Sequence, residues 1–193
     1  MPSKVSLMNS ALRVFAGSRI VSPDDGTAES MHCSLAWDGA RDTVLAVYPW
    51  GFATRWARLA LHAGAPAFGF RRSYALPADC LYLVDVREEE DLTAPPAPYC
   101  LVGGAVYADA APALARYVYR HENCELWPPH FCEVFSLRLA LEVAPYLVQD
   151  AGIGIRLRDV YHQALRLAAA TDAGQGKGPQ VREVCEYIDG RWG

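Results

Sequence analysis

Pro49 constrains this chain more than any other residue. It stands inside Arg41–Leu61, where Tyr48, Trp50, Phe52 and Trp56 fall within nine positions. Proline lacks an N–H and its ring clashes with the preceding turn, so it ends a helix that reaches it. It is equally suited to the first turn of a new helix. Tyr48-Pro49-Trp50 therefore predicts a corner between two helices. Aromatic side chains this dense bury large areas and dominate a core or an interface. Trp50 and Trp56 are expected to be largely buried, in the core or between neighbouring subunits. The stretch holds no nucleophile, no general base and no metal ligand.

Helix signals flank the corner. Residues 5–16 predict a short helix with Leu7, Ala11, Val14 and Phe15 on one side, stopped by Gly17. Ser22-Pro23-Asp24-Asp25 has the grammar of a helix start: a hydroxyl cap, proline at the first position, then acids. A long helix is expected from there to Val47, burying Ala28, Met31 and Leu35, with Leu45 and Tyr48 resuming that face after a charged turn at Asp38–Asp42. A third should cover about 50–62, ended by Gly64-Ala65-Pro66. Ala67–Tyr74 and Cys80–Val86 then alternate like strands. Tyr99–Tyr107, with Gly103-Gly104 in its middle, predicts a hairpin on a primed turn. Leu114–His121 reads as a further strand. Pro128-Pro129 opens a fourth helix with Phe131, Phe135 and Leu139 inward, and Pro145 should kink or end it. A fifth is expected over 155–171, burying Leu157, Tyr161, Ala164 and Ala168. The predicted class is α+β: a helical bundle (1–65 and 127–173) with an inserted small antiparallel β-region (66–126). Residues 174–193 are expected to be a glycine-rich linker and an extended C-terminal tail.

Composition narrows the function. At 193 residues the chain suffices for one large domain or two small ones. Its hydrophobic fraction is 52%, a little above the soluble average. The formal net charge is −4, and domains that grip nucleic acid by its phosphates are usually basic. No apolar run approaches the length of a membrane helix, and the N-terminus lacks the pattern of a signal peptide. Six scattered cysteines without a CxxC are expected to be free thiols in a reducing compartment.

Four constellations hold residue types that could carry chemistry. His121, Cys124, His130 and Cys132 offer soft ligands, but their spacing does not match a zinc finger, and side chains two apart diverge at a helix start. Glu88-Glu89-Glu90-Asp91 reads as a solvated acidic turn. Gly174–Gly178 has the composition of a phosphate loop, yet it follows a helix and no Ser or Thr follows Lys177. Ser136 sits in no nucleophile elbow. Catalytic, cofactor and metal residues are all expected to be absent.

One ordered series of motifs resembles a known family. Asn9-Ser10-Ala11-Leu12, Gly17, Ile20-Val21-Ser22, Arg41-Asp42 with Val44-Leu45, Tyr48-Pro49-Trp50 with Phe52-Ala53, Leu76-Pro77-Ala78-Asp79-Cys80 and Arg116–Arg120 together resemble the tail tubular protein A family. These are head-to-tail adaptors of short-tailed bacteriophages and prophages. The likeness covers about residues 5–172. Gly51 stands where relatives often carry Asn, and nothing after Gly174 matches. The resemblance implies a virion protein with no enzymatic activity and no cofactor. It implies a homo-oligomeric ring of twelve copies, assembled in the host cytoplasm, between the portal protein and the tail nozzle protein. Double-stranded DNA would pass through without specific binding; a conduit that holds no phosphates suits the mild acidity. No membrane contact is implied. Rival readings are another neck component, or a phage-entry glycan hydrolase, which would need paired carboxylates across a cleft. Trp50, Trp56, Val184, Tyr187, Ile188 and Trp192 are the expected subunit or portal contacts. The tail either folds back on its own domain or reaches a neighbouring subunit or the portal, with Tyr187 and Trp192 as anchors.

Overall fold

The computed structural model of the chain describes residues 1–63, 69–89, 93–150 and 152–175. It separates into two compact units: Met1–Phe52 with the chain from His121 onward, and Ala53–Arg120. The described residues hold four α-helices and two three-stranded antiparallel sheets, so the class is α+β. None of their helices is long and apolar enough to cross a membrane.

The helical unit begins with α1 (Lys4–Phe15). Its start is a reciprocal capping box in which the Ser3 and Ser6 hydroxyls each accept the other's backbone N–H. Gly17 closes it with a φ of 66°, in the left-handed region that glycine enters without a Cβ clash. The buried stripe is Leu7, Met8, Ala11 and Leu12. Val14 is exposed and Phe15 half-buried, so the expected stripe is rotated toward the N-terminus.

The second helix, α2 (Ala28–Val47), does not begin at Ser22. Its cap is Thr27, whose hydroxyl accepts the Ser30 N–H at 3.2 Å. Asp25, read as a first-turn acid, instead organises the loop before the helix. Its carboxylate accepts the Thr27 hydroxyl at 2.6 Å and the N–H groups of Thr27 and Val21. These bonds, the Thr27 hydroxyl foremost, hold its pKa far below the usual carboxylate range. Leu45 and Tyr48 are buried as expected, but over its first half the helix turns a different face inward. Cys33, Trp37, Ala40, Val44 and Leu45 are buried, whereas Ala28, Met31 and Leu35 are exposed, Leu35 at 76%. The sequence offers two apolar stripes, and the one holding Trp37 has more area to remove from water.

The central helix is α3 (Pro129–Leu147), which packs against α1, α2 and α4 (Ile153–Gln175). Burial on three sides explains why its inward residues, from Phe131 and Val134 through Leu137 to Val143, form no single stripe. Pro129 opens it as expected. Pro145 does not end it; lying in the last turn it removes one hydrogen bond, and the Val148 N–H still reaches the Ala144 carbonyl at 3.0 Å. On α4, Leu157, Tyr161, Leu165, Ala168 and Ala169 are inward.

The expected third helix over 50–62 is absent. A single 3₁₀ turn, Gly51–Ala53, leads into strand β1 (Thr54–Arg58). A helix here would have placed Phe52, Trp56 and Leu59 on one face. Pairing with a distant strand favours alternation instead, with Ala57 and Leu59 inward and Trp56 and Arg58 outward. The β-unit therefore starts at Ala53 and ends at Arg120, rather than spanning 66–126.

The remaining strands are β2 (Arg72–Ala75), β3 (Cys80–Arg87), β4 (Tyr99–Val102), β5 (Ala105–Ala108) and β6 (Leu114–Tyr119). One sheet has the order β1-β6-β3 and the other β2-β5-β4. Leu59, Tyr74, Leu83, Val86, Val106 and Tyr117 form the core of this unit. Gly103 and Gly104, with φ of 59° and 77°, make the two-residue primed turn of the β4–β5 hairpin. Two of the four sheet edges are covered by the chain itself. Residues 60–62 run along β2, through His62 N–H to the Ser73 carbonyl and Ala75 N–H to the Ala60 carbonyl. On β3, the Val86 carbonyl accepts the Ala97 N–H at 2.8 Å.

Candidate functional site

Trp50 anchors the corner at Pro49 to the helical unit. Trp50 is fully buried. Its indole N–H donates at 2.7 Å to the Val44 carbonyl, one of the acceptors that the end of α2 leaves unpaired within the helix. Its ring meets Tyr48 and Phe131 edge-on at 5.0 and 5.2 Å. Trp50 is thus buried as expected, but its whole surface is spent inside its own chain. None is left for a subunit or a portal, which corrects its assignment as a contact residue.

Asp172, near the end of α4, completes the corner. Its carboxylate accepts the Gly51 N–H at 2.9 Å, and its other oxygen lies 3.5 Å from His130 Nε2. Its side chain is 8% exposed. Burial, with this carboxylate nearby, pushes the Tyr48 hydroxyl up to about 12. The cluster is a polar clamp at the corner.

The residues weighed for metal or nucleophilic chemistry have structural partners. Cys132 donates its thiol to the Trp127 carbonyl at 3.6 Å. Burial pushes Cys132 up to about 11 and raises Cys124 as well. The Phe52 ring meets His121 at 5.5 Å. Among the described residues no three His, Cys, Asp or Glu side chains gather closely enough to hold a metal ion. Ser136 donates its hydroxyl to the Leu7 carbonyl at 3.4 Å, tying α3 to α1. Glu88 and Glu89 are exposed, as a solvated turn should be. Glu90, Asp91, most of the Gly174–Pro179 linker, and Val184, Tyr187, Ile188 and Trp192 lie outside the described residues.

Trp56 has a different setting. It lies on the outer face of the β1-β6-β3 sheet, directly across from Arg116 on β6, and is 43% exposed. Arg116 in turn is opposite Asp85 on β3, and its guanidinium reaches that carboxylate at 2.8 Å. Arg87 contacts the same carboxylate at 3.3 Å. Two cations thus share one buried anion, and the Trp56 ring lies over both, 5.9 Å from Arg87 and 5.8 Å from Arg116. Arg58, exposed on the same strand, adds a further positive charge. On the opposite face, Arg55 stacks on Tyr119 at 3.3 Å and pairs with Asp79 at 3.1 Å. Tryptophan and arginine are the residue types that concentrate binding energy at interface centres. Trp56 retains exposed surface of the kind a contact residue needs; Trp50 does not.

The Asp85–Arg87–Arg116 network was missed in the sequence. Its one local signal is Asp85-Val86-Arg87, opposite charges two apart on a strand and hence on one face. Arg116 joins them only through long-range pairing. A scan of protein-family models finds no match to this chain, and a search of curated proteins finds none either.

Proposed function

We propose that this protein is a head-to-tail adaptor of a short-tailed phage or prophage. In this reading it forms a homo-oligomeric ring between portal and tail nozzle and lets the genome pass. The reading rests on the ordered motif series from Asn9 to Arg120. Its main structural support is a helical unit assembled from two distant stretches around a β-unit, which fits the architecture that the resemblance implies. The corner motif Tyr48-Pro49-Trp50 is the keystone of the helical unit, a role that accounts for its place in the series. Trp56, the exposed tryptophan among the described contact residues, lies beside arginines, as a protein-binding surface would have it.

The test is to mix purified full-length protein with the portal ring encoded in the same genome and image the product. A second ring stacked coaxially on the portal is expected. Free portal beside unbound protein would reject the adaptor reading. Hydrolysis of a bacterial glycan, lost on replacing one carboxylate, would replace it with the enzyme reading.

A further inference from the structure

We propose that an open pocket of the β-unit binds a small amphiphilic anion, its oxyanion head met by Arg58 and Arg72 and its apolar body laid against Leu59, Leu61 and Tyr74. The inference stands apart from the adaptor reading and needs only this unit. The pocket has a volume of about 460 Å³, within the ~300–1,000 Å³ range of small-molecule sites.

Topology makes the pocket. After β1 the chain passes from one sheet to the other within a few residues. Leu59 still donates its N–H to the Ala113 carbonyl at 2.9 Å, in step with the β1–β6 pairing. Leu61 is already bridged to Tyr74 on β2, and the His62 N–H reaches the Ser73 carbonyl at 2.9 Å. The space at this crossing is walled by Arg58, Leu59 and Leu61, by Arg72 and Tyr74, and by residues 111–113 between β5 and β6.

The lining divides into an apolar floor and a cationic rim. Leu59 and Tyr74 are buried, and the Tyr74 hydroxyl is spent on the Ala110 carbonyl. Leu61 is 62% exposed and extends the apolar surface outward. Arg58 is exposed and Arg72 half-buried. Among the described residues neither guanidinium is in an ion pair. Arg72 donates one N–H to the Asp109 carbonyl at 2.6 Å, which holds the group in place. A guanidinium has five such donors, so most of its capacity remains. Two acids of the adjoining loops are turned to backbone instead. Asp109 accepts the Arg71 N–H at 2.6 Å, and Glu88 accepts the Ala111 N–H at 3.4 Å.

This division selects the ligand class. Guanidinium forks match the oxygens of a carboxylate or a phosphate. A metal cation would be repelled by them, and a bare inorganic anion would leave the apolar floor wet. An oxyanion joined to a short aliphatic or aromatic body satisfies both halves at once.

The experiment titrates the full chain with hexanoate, hexyl phosphate, inorganic phosphate and hexanol, read by ligand-observed NMR. Hexanoate and hexyl phosphate are expected to bind, and inorganic phosphate and hexanol to bind at least roughly tenfold more weakly. The tighter of the first two identifies the head as carboxylate or phosphate. Two variants, Arg58→Gln and Leu61→Glu, change exposed positions and are expected to unfold thermally like the parent. Each is expected to weaken the tighter anion roughly tenfold or more. Failure of both anions to bind, hexanol or inorganic phosphate binding as tightly as they do, or parent-like affinity in either variant would overturn the site.

Discussion

The Asp172 carboxylate accepts the backbone N–H of Gly51 at 2.9 Å across 121 positions of sequence. This bond ties the C-terminal end of the last helix to the corner after α2. It also supplies a partner to a backbone donor that the turn would otherwise leave unmet. Asp172→Ala is therefore expected to lower stability by about 1 kcal/mol, the net contribution of a hydrogen bond whose backbone donor can turn to water instead. Thermal unfolding should fall by several degrees, and Asp172→Asn, which keeps an acceptor, should fall less. Equal melting of Asp172→Ala and the parent would show that the clamp carries no stability.

The same corner predicts a response to alkali. The Tyr48 hydroxyl is raised from 10.0 to about 12, chiefly by burial and secondarily by Asp172. Burial raises Cys33, with a minor contribution from Glu29, from 9.0 to about 11. A raised folded pKa means that the folded state holds its proton longer. The associated stability is complete below the unfolded value and is lost as pH rises through the folded one. Denaturant midpoints should hold to about pH 9 and decline between about pH 9 and 12. A constant midpoint across that window would contradict the burial of these groups.

The two tryptophans of the corner stretch should behave oppositely. Trp50→Ala empties a fully buried site and is expected to cost about 3–5 kcal/mol. Trp56→Ala removes a half-exposed ring whose contacts with Arg87 and Arg116 are worth little in water, and should cost less than about 1 kcal/mol. Chemical denaturation of both variants checks the contrast. A Trp56 variant as unstable as the Trp50 one would place that ring in a core.

Glu89 and His130, neither of them expected to be catalytic, sit in different settings. Glu89 is exposed, and Glu89→Ala should be neutral within about 0.5 kcal/mol. The His130 ring is mostly buried, 6.1 Å from the Trp50 ring and against Asp172. His130→Ala is expected to destabilise by more than about 1 kcal/mol. Neither variant should gain or lose a hydrolytic activity. Indistinguishable melting of the two would mean that the His130 packing contributes nothing.

Local chemistry made parts of this fold legible. Gly103-Gly104 needs positive φ at both residues, and few structures other than a two-residue hairpin use that pair. Pro128-Pro129 announced α3 because proline is tolerated at a helix start and little elsewhere in a helix. The failures came where two local readings competed and a distant partner decided. Ser22-Pro23 read as the start of α2, but the cap is Thr27, onto which Asp25 turns its carboxylate. Thr54–Arg58 fitted a helix until β6, some sixty residues later, supplied the pairing. Trp50 and Trp56 look alike in sequence, and only the arrangement of β1, β3 and β6 sets Trp56 on a surface beside Asp85, Arg87 and Arg116.

Phe52 and His121, the two ends of the helical unit where the β-unit leaves and returns, touch edge-on with ring centroids 5.5 Å apart. At the other end of the same junction, Thr54 and Val118 are register partners on adjacent strands. The excursion thus closes on itself within a few ångströms. For a genome under selection, such a segment is a cassette: it can be exchanged, enlarged or deleted in one recombination event, and the host helices keep both their order and their ends. Homologues that diverge rapidly over 53–120 while holding the helices constant are the pattern this anatomy permits.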